Sequence, residues 1–145
     1  MSLIALIAAG ELRDAPLLEL HRLIDWAPIE RELAPLRQAE RRRGGPEAFA
    51  PLILYRALLV QRWHRLSLRG LNRALRVRLD FLVFVGLEPG FPVPSVPTVH
   101  RARLRLEREG VRRRCDRIVA AQLQRAGVTV KPANGALTNV RIVRR

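Results

Sequence analysis

Along most of the chain, apolar side chains recur three or four residues apart, the period of one helix face, and only after Gly127 does the spacing shorten to that of a strand. Leu17, Leu20 and Ile24 form the first such stripe. Asp25 is placed to cap a second helix, "WAPIERELAPLR", whose Pro28 falls in the tolerant first turn. "QAERRRGGPEAFA" is polar and contains glycines, which predicts a loop carrying Arg41, Arg42 and Arg43. From Pro51, Leu52, Tyr55, Leu59, Trp63 and Leu66 repeat along one stripe and predict the main core helix.

Ser67 is the expected cap of the next helix, with Leu68, Leu71, Leu75 and Leu79 inward and Arg69, Arg73 and Arg76 on another side. "DFLVFVGL" predicts a last helical turn or two ended by Gly86. The four prolines of "EPGFPVPSVP" then exclude a regular element. Thr98 is the expected cap of "VHRARLRLEREG", with Val99, Ala102 and Leu106 inside and Arg101, Arg105 and Arg108 outside. After Gly110, the residues Val111, Cys115, Ile118, Val119 and Leu123 line the inner face of a further helix that Gly127 stops. In "VTVKPANGALTNVRIV" the β-branched runs on either side of Pro132 to Gly135 predict a hairpin. The expected fold is mainly α, a helical bundle ending in a short β-hairpin or strand.

Charge changes the picture. The 27 Lys and Arg residues outnumber the 13 Asp and Glu, for a net charge of +14, and Lys131 is the single lysine among them. Arginine grips phosphate through two parallel hydrogen bonds and stacks on bases, so the surplus points to nucleic acid more than to membrane. An Arg-rich genome is the alternative source, but it would raise the acids as well. The 48% hydrophobic content is that of a folding chain, and 145 residues make one domain's worth. Cys115 is alone, which excludes a disulfide or a cysteine-based zinc site within one chain and suits a reducing cytoplasm. "LIALIAA" is too short to span a bilayer and lacks the preceding cationic region of a secretory signal; it reads as a frayed helix or an upstream start.

The candidate chemistry lies in the two basic stripes, since a helix bearing several arginines can lie along or in a DNA groove. A stripe of this kind can also be an ordinary solvated face. Aromatic residues are only 5% of the chain, and Tyr55, Trp63, Phe81 and Phe84 fall at core-like positions, which favours duplex DNA over single-strand stacking. His21, His64 and His100 have no ligand spacing, so no metal is expected. Ser2, Ser67 and Ser95 lack a patterned histidine and carboxylate, and "GGP" and "PGF" read as turns. The last carboxylate is Asp116. No small-molecule substrate is indicated.

The segments "LIDWAPIERELAPL", "PLILYRALLVQRWHRLSLRGLNRALRVRLDFLVFVGL", "VPSVPTVHRARLRL" and "QLQRAGVTVKPANGALTNVRIV", in that order, resemble the N-terminal region of InsH-like bacterial insertion-sequence transposases. The resemblance implies a helix-turn-helix-like DNA-binding region leading into a ribonuclease H-like core, which cuts and joins DNA with two Asp, one Glu and Mg²⁺. Asn139 in "GALTNVR" stands where that family carries its first catalytic Asp, and the later acids have no match before Arg145. Leu68 and Ser95 replace acids that the family often carries, which suggests decay of the element. The organisation expected is a poorly defined segment 1–16, a DNA-binding domain 17–127 and the start of a truncated core at 128–145. The expected function is cytoplasmic binding of duplex DNA such as terminal inverted repeats, without catalysis and without a cofactor. The residues expected to touch DNA are Arg69, Arg73, Arg76, Arg101, Arg103, Arg105 and Arg108, with nonspecific help from Arg41 to Arg43. The competing expectations are an inhibitor that binds full-length transposase subunits and an unrelated helical regulator.

Overall fold

A computed structural model describes residues 15–43 and 49–145 and, for residues 40–43, the backbone alone. The expectations for "LIALIAA" and for Gly44 and Gly45 lie outside the described residues. Helix α1 (Pro16–Leu23) starts on a proline, buries Leu17, Leu18 and Leu20, and ends where Ile24 turns extended. In α2 (Ala27–Arg43), the Asp25 carboxylate accepts the Ala27 N–H at 3.1 Å, which supports the expected start. Pro35 removes one bond from the helical ladder, but Ile29 and Leu33 are buried and hold the helix in place. The expected loop is corrected for residues 38–43, which continue α2. Gln, Ala, Glu and Arg are all strong helix formers, and the first breaker is Gly44.

The core is built around α3 (Pro51–Trp63), in which Leu54, Tyr55, Ala57, Leu58, Leu59 and Val60 are all buried. This corrects the expected single stripe: Leu52 and Trp63 are half-buried, and Leu66 lies beyond the helix end. The cause is position, because α3 is packed on several sides, by α2 and by three helices described next, which leaves little solvent face for polar residues to mark apart from that of Gln61 and Arg62 near its end. At its C-terminal end, Leu66 N–H reaches the Gln61 carbonyl at 3.0 Å and Arg65 N–H the Arg62 carbonyl at 3.2 Å. These two bonds make a Schellman cap, with Arg65 at φ 52° in the left-handed position that glycine usually fills.

Ser67 caps α4 (Leu68–Val77) as expected, its Oγ accepting the Gly70 N–H at 3.0 Å. Leu71, Ala74 and Leu75 are buried, while Leu68 and Leu79 pack at the margin of the core. Arg78 then turns extended, and α5 (Leu79–Val85) starts afresh with Phe81, Leu82, Phe84 and Val85 buried. Gly86 ends it at φ 92°. The next cap is corrected: α6 (Val96–Glu107) begins at Val96, with Ser95 as its cap and Pro97 and Thr98 inside its first turn. Ser95 Oγ accepts the Thr98 N–H at 3.3 Å and donates to Thr98 Oγ1 at 2.9 Å, so the hydroxyl performs a capping role that an acid can also serve. Proline is tolerated in a first turn, which is why the proline-rich stretch ends at Ser95 rather than at Pro97.

Val99, Ala102 and Leu106 form the inner stripe of α6 as expected. A tight turn at Arg108–Gly110, with Glu109 and Gly110 at positive φ, leads into α7 (Val111–Arg125). Val111, Cys115, Val119 and Leu123 bury its inner face, with Ile118 at the core margin. Burial pushes the Cys115 thiol up to about 12, aided by the charges of Glu32 and Asp116, so it serves as a small apolar side chain.

The expected hairpin is present. Strands β1 (Val128–Lys131) and β2 (Arg141–Arg144) pair antiparallel, with Val130 opposite Ile142. Their connection is not a tight turn at Pro132 to Gly135 but the whole of residues 132–140, which folds back onto the end of α3. Ala133 and Gly135 donate their N–H groups to the Trp63 and His64 carbonyls at 2.8 and 2.9 Å. Val128, Ala133 and Val140 thereby join the core of the helices. None of the described helices is long and apolar enough to cross a membrane.

Candidate nucleic-acid interface

The exposed face of α4 is set by the burial of the opposite one. With Leu71, Ala74 and Leu75 inward, Arg69, Arg73 and Arg76 fall together on the solvent side, at spacings of four and three residues. Helix α6 packs against α4, and Asn72 Nδ2 ties the two regions by donating to the Pro94 carbonyl at 2.9 Å. Arg101 and Arg108 are exposed on α6 and in the turn after it. Among the described residues, no hydrogen-bond or ion-pair partner engages Arg69, Arg73, Arg76, Arg101 or Arg108. These guanidinium groups keep all their donors for an outside ligand.

Two expected contact residues stand elsewhere. Arg105 is half-buried with its Nε shielded from solvent, because its position flanks the Ala102 side of the inner stripe; this corrects its placement on the outer face. Arg103, also half-buried, lies on the other flank and donates to His100 Nδ1 at 3.2 Å. Leu104, which sequence reading passed over, is 48% exposed at the centre of the outer face. The link from α5 to α6 spans residues 86–95, longer than the three or four residues of a simple helix-turn-helix. The arrangement therefore rests on the packing of α6 against α4.

Sequence reading also missed Arg78. Its Nε and Nη2 clasp the two oxygens of Asp80 at 3.0 and 2.6 Å. Nη1 donates to the Ala136 and Thr138 carbonyls at 2.6 and 3.0 Å, Nη2 also reaches Asn139 Oδ1 at 2.7 Å, and the guanidinium sits over the Phe81 ring at 4.4 Å. The signal was an Arg and an Asp two residues apart, which point away from each other on a continuous helix and meet only because the chain turns extended at Arg78.

The same cluster decides how Asn139 fits Mg²⁺. The ion requires several oxygen ligands, anionic ones above all. The Asn139 oxygen accepts from a fixed guanidinium, which also saturates Asp80, so the residues around Asn139 do not suit a divalent cation. Other acids are likewise held by arginines. Asp116 pairs with Arg62 at 2.9 Å and accepts from the Tyr55 hydroxyl at 2.7 Å. Glu107 pairs with Arg112, Glu32 with Arg114, and Glu19 with Arg144. Burial and the Asp116 bond raise the Tyr55 hydroxyl far above its usual range, so it remains a donor.

The three histidines are dispersed. His64 is fully buried, donates from Nδ1 to the Val60 carbonyl at 3.1 Å and packs on Phe81, while His21 lies near Trp26 and Phe84. Tyr55, Phe81 and Phe84 are fully buried, in keeping with their core-like spacing. The side chains of Arg41 to Arg43 lie outside the described residues.

Among known proteins, a family model described as a transposase domain (DUF772) matches residues 6–105, the greater part of the chain. That span covers α1 to α5 and most of α6. No curated protein and no solved structure matches.

Proposed function

This chain belongs to the transposase domain family, and on that premise we propose that it binds duplex DNA, such as the terminal inverted repeats of a mobile element, and has no nuclease activity of its own. The observation that carries the reading is the set of arginines without a partner among the described residues on two mutually packed helices, Arg69, Arg73 and Arg76 on α4 with Arg101 on α6 and Arg108 just beyond it. Phosphate contacts from such groups give affinity and register, and α6, held by its Ser95 cap, offers His100, Arg101 and Leu104 to base edges. Inertness is supported by Glu19, Glu32, Asp80, Glu107 and Asp116, which are bonded to arginines, and by the scatter of the acids, no three of which gather among the described residues.

Gel shifts with inverted-repeat and scrambled duplexes at several salt concentrations test the first part. Affinity should fall steeply with salt, by a log–log slope of about 0.9 per phosphate contact. Absence of binding at low salt would remove the reading. For the second part, the purified chain should neither nick nor join labelled ends in Mg²⁺ or Mn²⁺, with Asn139→Asp giving no rescue. Metal-dependent nicking that disappears on changing one of its own acids would overturn inertness.

A further inference from the structure

A second basic feature lies away from the exposed stripes. Arg62 and Arg65 at the end of α3, Arg103 on α6 and Arg112 on α7 line one open cleft of about 390 Å³, together with Gln61 and Glu107. Four guanidinium groups from three separate elements thus face one carboxylate. Glu107 is already paired with Arg112 at 3.2 Å, and Arg62 is held by Asp116 from outside the lining. The remaining positive charge is uncompensated by the cleft itself.

Two observations indicate that this crowding is maintained for a ligand. Arg65 occupies the left-handed position of the Schellman cap at φ 52°, where glycine would be unstrained. Its Nη1 nevertheless reaches Asn134 Oδ1 at 2.8 Å, which fixes the guanidinium at the cleft wall. Arg112 is mostly enclosed, and its Nε is buried without a hydrogen-bond partner among the described residues. Burial, and then the charge of Arg62, lower the Arg112 pKa; an anion between them would relieve that repulsion.

Resting on the DNA-binding reading, we infer that the cleft lined by Arg62, Arg65, Arg103 and Arg112 holds a backbone phosphate of the bound duplex, fixing the register of α6. Arginine's planar fork matches phosphate oxygens, and a group clamped from three elements is positioned more tightly than one met by an exposed stripe. Arg103 belongs to this clamp rather than to the outer face of its helix.

The test uses the full chain and the variants Arg65→Gly and Arg103→Gln. Arg65→Gly removes the guanidinium while relieving the backbone, so its melting temperature should hold or rise. For each variant the salt slope of duplex binding should fall by about 0.9 if one phosphate contact is removed. In parallel, inorganic phosphate should raise the melting temperature of the unmodified chain saturably, above chloride at equal ionic strength, and less so in Arg103→Gln. Unchanged salt slopes in both folded variants would overturn the phosphate clamp. If the chain binds no duplex but keeps the phosphate effect, and Arg103→Gln loses it, the cleft stands as a site for free phosphate and the DNA reading falls. Absence of a phosphate effect together with unchanged slopes removes the cleft while leaving DNA binding by the exposed stripes intact.

Discussion

Arg76 and Arg78 are two residues apart, yet one guanidinium is exposed and has no partner among the described residues, while the other makes five hydrogen bonds. The difference is made by the backbone. Up to Val77 the helix holds its arginines on one solvated face; at Arg78 the chain extends and the side chain swings between α5 and the 132–140 loop. A count of charges treats these two residues alike. Their surroundings divide them into a group free to meet a polyanion and a group that binds parts of the fold together.

Mutation should widen that division. Arg78→Ala leaves Asp80, 5% exposed, with little beyond the Phe81 N–H to satisfy it, and should cost about 3–5 kcal/mol, the scale for breaking a buried pair. Urea melts measure this, and a loss under 1 kcal/mol would mean that the cluster is ornamental to stability. His64 sharpens the same comparison through pH. Burial lowers its pKa below 6.5; the bond to the Val60 carbonyl opposes this in part, the Arg78 charge lowers it further, and Asp80 has the smallest, raising effect. The unfolded chain therefore takes up the proton first. Stability is complete above about pH 6.5 and falls below it, by up to about 1.4 kcal/mol per pH unit for this one group. Melts of His64→Gln should lose that part of the pH dependence, whereas an unchanged slope would assign it to other groups such as His21.

Smaller effects separate the caps. Ser95→Ala should cost about 1 kcal/mol and Thr98→Ala less, since Ser95 Oγ accepts the backbone N–H at the start of α6. The reverse ranking would restore Thr98 as the cap. Smallest of all, Arg73→Ala and Arg76→Ala should each change stability by less than about 0.5 kcal/mol while lowering the salt slope of DNA binding by about 0.9. A large loss of stability in either would show that the exposed stripe supports the fold.

Much of this was legible in sequence where the rule is local. Ser67 followed by leucines at helical spacing specifies α4, and the face left over specifies where its arginines go. Gly127 and the β-branched residues beyond it specify the helix stop and the hairpin. The reading fails where distant residues decide. Periodicity showed a stripe on α3 because it cannot reveal that packing neighbours approach from several sides. Tyr55 with Asp116, and Arg78 with Asn139, are pairs far apart in sequence that only the fold brings together. The cleft has the same origin, since its arginines come from three elements and none forms a run with another. At residues 38–43 the difference is chemical: polarity and charge alone suggest a loop, but the residue types there favour helix.

The backward fold of the 132–140 loop has a consequence for the order in which the molecule can form. The carbonyls of Trp63 and His64 receive the N–H groups of Ala133 and Gly135, which leave the ribosome long after α3 has emerged. Until they arrive, the end of the central helix relies on water and on its own cap, and Arg65 is without Asn134. Contacts so distant along the chain raise the contact order and slow closure, so the helices should gather first and the hairpin should dock last. Chains released before residue 133 would then be a partly closed species whose arginine-lined cleft lacks one wall support.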